Sequence, residues 1–256
     1  MKTKLNVADK PLQTLAGQKR APEKAAGGIG TLGERTLHAA LKRHFEPDVT
    51  YHEIRYKGYV ADIMRGDEII EIQTRALNVM RTKLTVFLAD NKVTVVHPVV
   101  REKWLNWVNS GTGEIVRRRK SPKRGAPLDA FAELYKIKMF LRDPNLTICL
   151  LPVDVEEYRR LDGGGKSPRK GWTRAEQIPT AVGEPVYLND AFDYAALLSG
   201  LPDEFTSAEV AKAKKLSIGM AQTVLNVMSH VEAVCCIGKR GRCKLYKIRT
   251  TGESDI

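Results

Sequence analysis

The chain has 256 residues, 43% of them hydrophobic and 28% charged, with a formal net charge of +12. That length and apolar share allow one large or two ordinary domains with a true core. A charge so far from zero disfavours a small neutral substrate and points to a polyanionic partner, nucleic acid first.

No long apolar run of membrane-spanning length occurs, and "MKTKLNVADKPLQTLAGQKR" has no apolar stretch of signal-peptide length. The expectation is a cytoplasmic protein with no membrane partner. Cys149, Cys235, Cys236 and Cys243 form no CxxC pair, and buried free thiols are expected.

Residues 1–27 have no helical or strand period and read as a flexible basic arm, either following a phosphate backbone or simply disordered. "GIGTLG" at 28–33 matches GxGxxG, but no apolar strand precedes it, so a dinucleotide fingerprint is rejected. From Thr31 a helix is predicted with Leu37, Ala40, Leu41 and Phe45 on one stripe, ended by Pro47. Strands follow near 50–56, 59–64 and 68–73. A helix over 76–89 should turn Leu77, Met80, Leu84, Phe87 and Leu88 inward, and "KVTVVHPVV" reads as a buried strand. Residues 99–160 add a basic strand and loop ("EIVRRRKSPKRG"), an amphipathic helix after Pro127 and the buried strand "LTICLLPV". The expected domain spans 28–160, with 161–187 as a linker on the strength of "LDGGGKSPRKG". In that stretch "GGGKS" lacks the first glycine of a phosphate-binding loop.

The stretch "YVADIMRGDEIIEIQTR" (59–75) alternates as a hairpin. With Gly66 and Asp67 as a two-residue turn, Arg65 faces Glu68, Met64 faces Ile69, and Asp62 faces Glu71. Like charges directly opposite are destabilising unless compensated, and a divalent cation compensates them. Hard oxygen ligands suit Mg²⁺, with Mn²⁺ as a substitute. Period two places Gln73 beside Glu71 and turns Ile70 and Ile72 to the other face. Glu34 falls on the apolar stripe of the first helix, where a carboxylate needs a partner. The plain alternative is a helix-start glutamate and a solvated acidic face near Lys57 and Arg55.

Glu34, Asp62 and the "EIQ" of Glu71, Ile72 and Gln73 resemble the PD-(D/E)XK nuclease superfamily over about residues 30–97. The resemblance implies an α/β (α+β) restriction-endonuclease-like core with a mixed central sheet and phosphodiester hydrolysis. Asp62 and Glu71 would hold Mg²⁺, Glu34 would ligate it directly or through water, and Gln73 would orient the attacking water. Two departures stand out: no proline precedes Asp62, and Gln73 occupies the usual lysine position. Arg75 and Lys83 are the expected phosphate contacts or replacement cations.

At 188–249, Thr206 and Glu209 spell a capping box, Ser217 caps a second helix with Ile218, Ala221, Leu225 and Met228 inward, and "AVCCIGKRGRCKLYKI" reads as a hairpin. This segment resembles a winged helix-turn-helix domain. The resemblance implies base contacts from Gln222, Thr223 and Asn226 and backbone contacts from Lys239, Arg240 and Arg242; the alternative use is protein contact. Residues 250–256 are a tail. Arg117, Arg118 and Arg119 are a further candidate phosphate contact. The expectation is therefore a Mg²⁺-dependent endonuclease on double-stranded DNA. Two sites are needed to cut both strands, so a homodimer is expected. The alternatives are an inactive nuclease-fold DNA-binding regulator and an RNA-processing nuclease.

Overall fold

The computed structural model describes residues 32–163 and 171–249, with side chains from Thr36 onward. The basic arm, the "GGGKS" motif's last four residues and the tail lie outside the described residues, as does the Glu34 side chain.

Helix α1 (Leu32–Phe45) opens the fold, and strands β1 (His52–Tyr56), β2 (Tyr59–Arg65) and β3 (Glu68–Ile72) follow. Then come α2 (Arg81–Leu88), led by a 3₁₀ turn at Leu77–Met80, and β4 (Lys92–Asn109). The order α, β, β, β, α, β is the predicted one. Leu37, Leu41 and Phe45 are buried, as are all five inward residues expected of the second helix.

Strands β5 (Ile115–Lys120), β6 (Leu146–Leu161), β7 (Thr173–Val182) and β8 (Val186–Leu188) complete an eight-stranded mixed sheet. Its main path is β1-β2-β3-β4-β6-β7, with β5 beside β4 and β8 beside β6. The pairs β3/β4 and β4/β6 are parallel, and the others are antiparallel. The parallel strands read as near-continuous apolar runs because both their faces are covered. On one face α1 packs with Ile63, Ile70, Ile72 and Val96; the opposite face carries Ile69, Leu84, Phe87 and Val95. Helix α1 is clasped from two sides, since Thr36 donates to Glu176 of β7 (2.8 Å) while His38 reaches Asp62 of β2.

The linker expected at 161–187 is corrected: β7 and β8 occupy most of it, both hydrogen-bonded to β6. The segment after Pro127 is not one helix. A 3₁₀ turn (Pro127–Ala130), α3 (Phe131–Leu134) and a second 3₁₀ stretch (Tyr135–Phe140) succeed one another, broken at Ile137, whose φ of −116° is non-helical. The break buries Ile137 and leaves Tyr135 49% exposed.

The C-terminal segment comprises α4 (Ala191–Ala196), β9 (Glu204–Thr206), α5 (Ser207–Lys214), α6 (Ile218–His230), β10 (Val234–Arg240) and β11 (Cys243–Ile248). A three-stranded sheet runs in the order β10-β11-β9. The capping box forms: the Thr206 backbone N–H donates to Glu209 Oε2 (2.7 Å), and the Glu209 N–H donates to Thr206 Oγ1 (3.4 Å). Ser217 Oγ accepts from Met220 N. Ile218 is 49% exposed, so the inward stripe is Ala221, Val224, Leu225, Val227 and Met228. This segment is not a separate globule. Phe131, Leu134, Tyr194, Phe205, Val224 and Leu225 belong to one continuous apolar cluster with Leu84 and Phe87. Among the thiols only Cys149 is buried, with its pKa pushed up to about 12 by that burial; Cys236 and Cys243 are exposed.

Candidate active site

The β2/β3 hairpin turns where the sequence puts its turn residues. Arg65 pairs with Glu68 across Gly66 and Asp67, and Gly66 takes a φ of +58°, which glycine adopts without a Cβ clash. Met64 pairs with Ile69 and Ile63 with Ile70; beyond that rung the backbone ladder stops. Two carboxylates take over its hydrogen bonds. Glu71 Oε1 accepts from the Asp62 backbone N–H at 3.1 Å, and Asp62 Oδ2 accepts from the Ile72 backbone N–H at 2.9 Å. Asp62 and Glu71 therefore meet across the strands as the register arithmetic requires, each held by the other strand's backbone.

Two further side chains reach the pair. His38 Nε2 of α1 lies 3.1 Å from Asp62 Oδ2; because an ionised carboxylate only accepts, the imidazole N–H donates. Lys83 Nζ of α2 lies 2.6 Å from Glu71 Oε2. Helices on opposite faces of the sheet thus converge on the hairpin. Among the described residues Asp62 Oδ1 has no hydrogen-bond partner, while both Glu71 oxygens are engaged.

The two acids have opposite electrostatics. Burial pushes the Glu71 carboxyl up to about 7, the Asp62 charge adds to this, and Lys83 offsets only part. Burial also pushes Asp62 upward, but the His38 hydrogen bond, the Ile72 amide and Lys83 outweigh it and hold its pKa below the ordinary value. At neutral pH the cluster is short of positive charge, and the open Asp62 oxygen beside a buried carboxylate suits a hard divalent cation. Among the described residues no three His, Cys, Asp or Glu side chains are arranged as a ready-made metal cage.

The other predicted residues divide. Gln73 does not turn to the carboxylates, since its amide donates to the Arg75 carbonyl at 2.6 Å, while its own carbonyl meets His97 Nδ1 at 2.8 Å. Lys83, not Gln73, is the side chain that reaches Glu71. Arg75 is exposed at the strand exit. Glu34 lies in the first turn of α1, four residues before His38. His38 was missed, although that i, i+4 spacing places it on the helix face assigned to Glu34.

At the C-terminal segment, Gln222 is exposed, Thr223 Oγ1 is turned back to the Gly219 carbonyl, and Asn226 accepts from Lys138 Nζ at 2.9 Å. Arg240 is held by Glu209 at 3.0 Å, so Lys239 and Arg242 are the freer cations of the hairpin. An open cleft of about 760 Å³ separates α6 from β10 and β11, with Gln222, Asn226, Arg242 and Lys244 in its walls. Arg117, Arg118 and Arg119 lie well away in the sequence, on β5, and are all exposed. Among the described residues no helix is long and apolar enough to cross a membrane.

The architecture defines a mixed α/β protein with a buried, unequal carboxylate pair where a hairpin splays. Residues 35–189 match the family model "Domain of unknown function (DUF8091)", and the chain belongs to that family. The match ends just before α4, so it covers the large sheet and its helices. A Treponema pallidum (strain Nichols) protein described as "Uncharacterized protein" is 27% identical over 229 residues, covering 88% of this chain and 90% of the relative. No solved structure matches the chain.

Proposed function

We propose that the chain is a metal-dependent phosphodiesterase of the PD-(D/E)XK type that cuts double-stranded DNA, with the C-terminal segment acting as a winged helix. The observation that carries this reading is the Asp62–Glu71 pair, crossed between strands and hydrogen-bonded to backbone amides. The α, β, β, β, α, β order and the three-stranded sheet flanked by α4, α5 and α6 support it.

In this reading Asp62 and Glu71 hold Mg²⁺ or Mn²⁺, with Glu34 contributing from α1. The bound cation supplies Lewis acidity and a water of lowered pKa. The chain's own groups do the rest. His38 and the Ile72 amide fix Asp62 Oδ2, leaving Oδ1 presented. Lys83 neutralises part of the charge at Glu71 and stands ready to meet a phosphate oxygen. Lys239 and Arg242 serve as backbone contacts and Gln222 as a base contact. A homodimer supplies the two sites needed for both strands.

The Lys83–Glu71 ion pair and the averted Gln73 amide favour one alternative, a nuclease-fold DNA-binding regulator that does not cut. Incubation of supercoiled plasmid with Mg²⁺, with Mn²⁺ and with EDTA decides between them. The nuclease reading predicts metal-dependent nicking or linearisation. Tight binding of DNA without cleavage of plasmid, single strands or RNA leaves the regulator, and cleavage of RNA alone moves the substrate to RNA.

A further inference from the structure

All three tryptophans of the chain, Trp104, Trp107 and Trp172, lie in the part of the sheet formed by β4–β7 and its approach. Arginines stand over each ring. The Arg117 and Arg119 guanidinium carbons are 5.0 and 5.6 Å from the Trp107 ring centre, and Arg159 lies 5.1 Å from the same ring and 3.9 Å from Trp172. By register Arg117 pairs with Trp107 and Trp107 with Arg159, so guanidinium and indole alternate in a row across the strands. Arg118 stacks separately on Trp104 at 4.4 Å.

The charges here do not balance. Residues 115–124, "IVRRRKSPKR", contain six cations and no acid. Glu156 takes Arg118, and Glu102 takes Lys120 and Arg124. Arg117, Arg119 and Lys123 have no carboxylate partner among the described residues. A guanidinium laid over an indole is held extended with its N–H fork outward, which lowers the ordering cost of a bidentate phosphate contact. Among the described residues no strand pairs with the outer edge of β5. A row of like charges along that edge repels a second copy, so the complementary occupant is a polyanion. Trp107, the indole beneath Arg117 and Arg119, is only 8% exposed, which leaves its ring closed to an unpaired base and favours backbone contact at this row.

We propose that Arg117, Arg119 and Lys123 form a docking surface for the sugar–phosphate backbone of duplex DNA, distinct from the carboxylate site and from the C-terminal hairpin. This rests on the DNA reading above and states where the duplex is gripped outside the cutting centre. The indoles serve as rigid supports that keep the arginine forks raised.

The test is binding of a short labelled duplex by the full chain in EDTA, followed by anisotropy over a range of salt and by tryptophan emission, since all three indoles lie in this part of the sheet or its approach. Arg117→Glu with Arg119→Glu is expected to weaken binding at least about tenfold at low salt and to reduce the slope of log K against log salt by about two. Lys123→Glu, which touches no indole, should reduce the slope by about one. Duplex should shift the emission of the wild-type chain saturably. Unchanged slopes in both variants, no emission change, or equal competition by single strands or by phosphatidylserine vesicles overturns the proposal. Because EDTA removes cleavage from the readout, a chain that binds in this way without cutting contradicts only the nuclease reading.

Discussion

The sheet buries two glutamates in opposite ways. Glu71, at the splayed hairpin, faces one lysine and another carboxylate, and burial drives its pKa up to about 7. Glu157, in the β4–β7 region, is fully buried and receives Lys103 at 3.2 Å, Arg159 at 2.7 Å, Arg174 at 3.4 Å and the Gln177 amide at 3.1 Å. Burial pushes Glu157 up as well, but its cations outweigh that and hold it below the ordinary value. A carboxylate enclosed by cations is a finished piece of structure. In the proposed reading, one left short of positive charge beside a second acid is where a cation from outside would bind. On that proposal the two glutamates divide scaffold from chemistry within a single sheet.

The largest effect expected is on cleavage. Asp62→Ala should lower plasmid nicking by about 10³-fold or more, equivalent to several kcal/mol of lost transition-state stabilisation, whereas Glu157→Gln should leave the rate per folded molecule within a few-fold. Stability should show the reverse ranking. Glu157→Gln leaves the half-buried Lys103 and Arg159 and the exposed Arg174 without their counter-charge and is expected to cost about 1–3 kcal/mol in denaturant unfolding at pH 7.

The sign of the pH dependence sharpens the contrast. Glu71 keeps its proton in the fold up to about pH 7, whereas an unfolded glutamate loses it near its ordinary value of about 4.3. Between those limits the native state binds more protons, so metal-free stability falls as pH rises, by about 2–4 kcal/mol in all. Glu71→Gln should remove that fall, equalling wild type near pH 4 and exceeding it at pH 7.5. Glu157, with its depressed pKa, contributes stability that is complete above the ordinary carboxylate range and lost on acidification. Parallel pH curves for Glu71→Gln and Glu157→Gln would break the comparison. The smallest expected change comes from Lys83→Met, which removes a charge that lowers the Glu71 pKa and should move this titration upward from about 7, as followed by carboxyl NMR.

Much of this contrast was legible in the sequence on one side only. The Asp62–Glu71 meeting follows from a two-residue turn and period-two arithmetic, both local, and the apolar stripes of α1 and α2 follow from helical spacing. Glu157 was not legible as scaffold, because its cations come from β4, β6 and β7, and β7 was taken for a linker. There the Gly-rich run at 163–165 has linker composition, while "TRAEQIPTAV" alternates too weakly to declare a strand. The break at Ile137 and the exposure of Ile218 depend on how the C-terminal helices dock into the same apolar cluster, a long-range packing outcome that overrides local periodicity. His38 could have been found from its spacing to Glu34, but a lone histidine on a helix carries no signal until Asp62 is seen beside it.

Mn²⁺ binding by the full chain tests the central claim most directly, measured by calorimetry at pH 6 and pH 8 for wild type, Asp62→Ala and Glu157→Gln. The account predicts a site in wild type that tightens at pH 8 as Glu71 gives up its proton, disappears in Asp62→Ala and persists in Glu157→Gln. No binding by wild type, or binding that Asp62→Ala leaves intact, would contradict it.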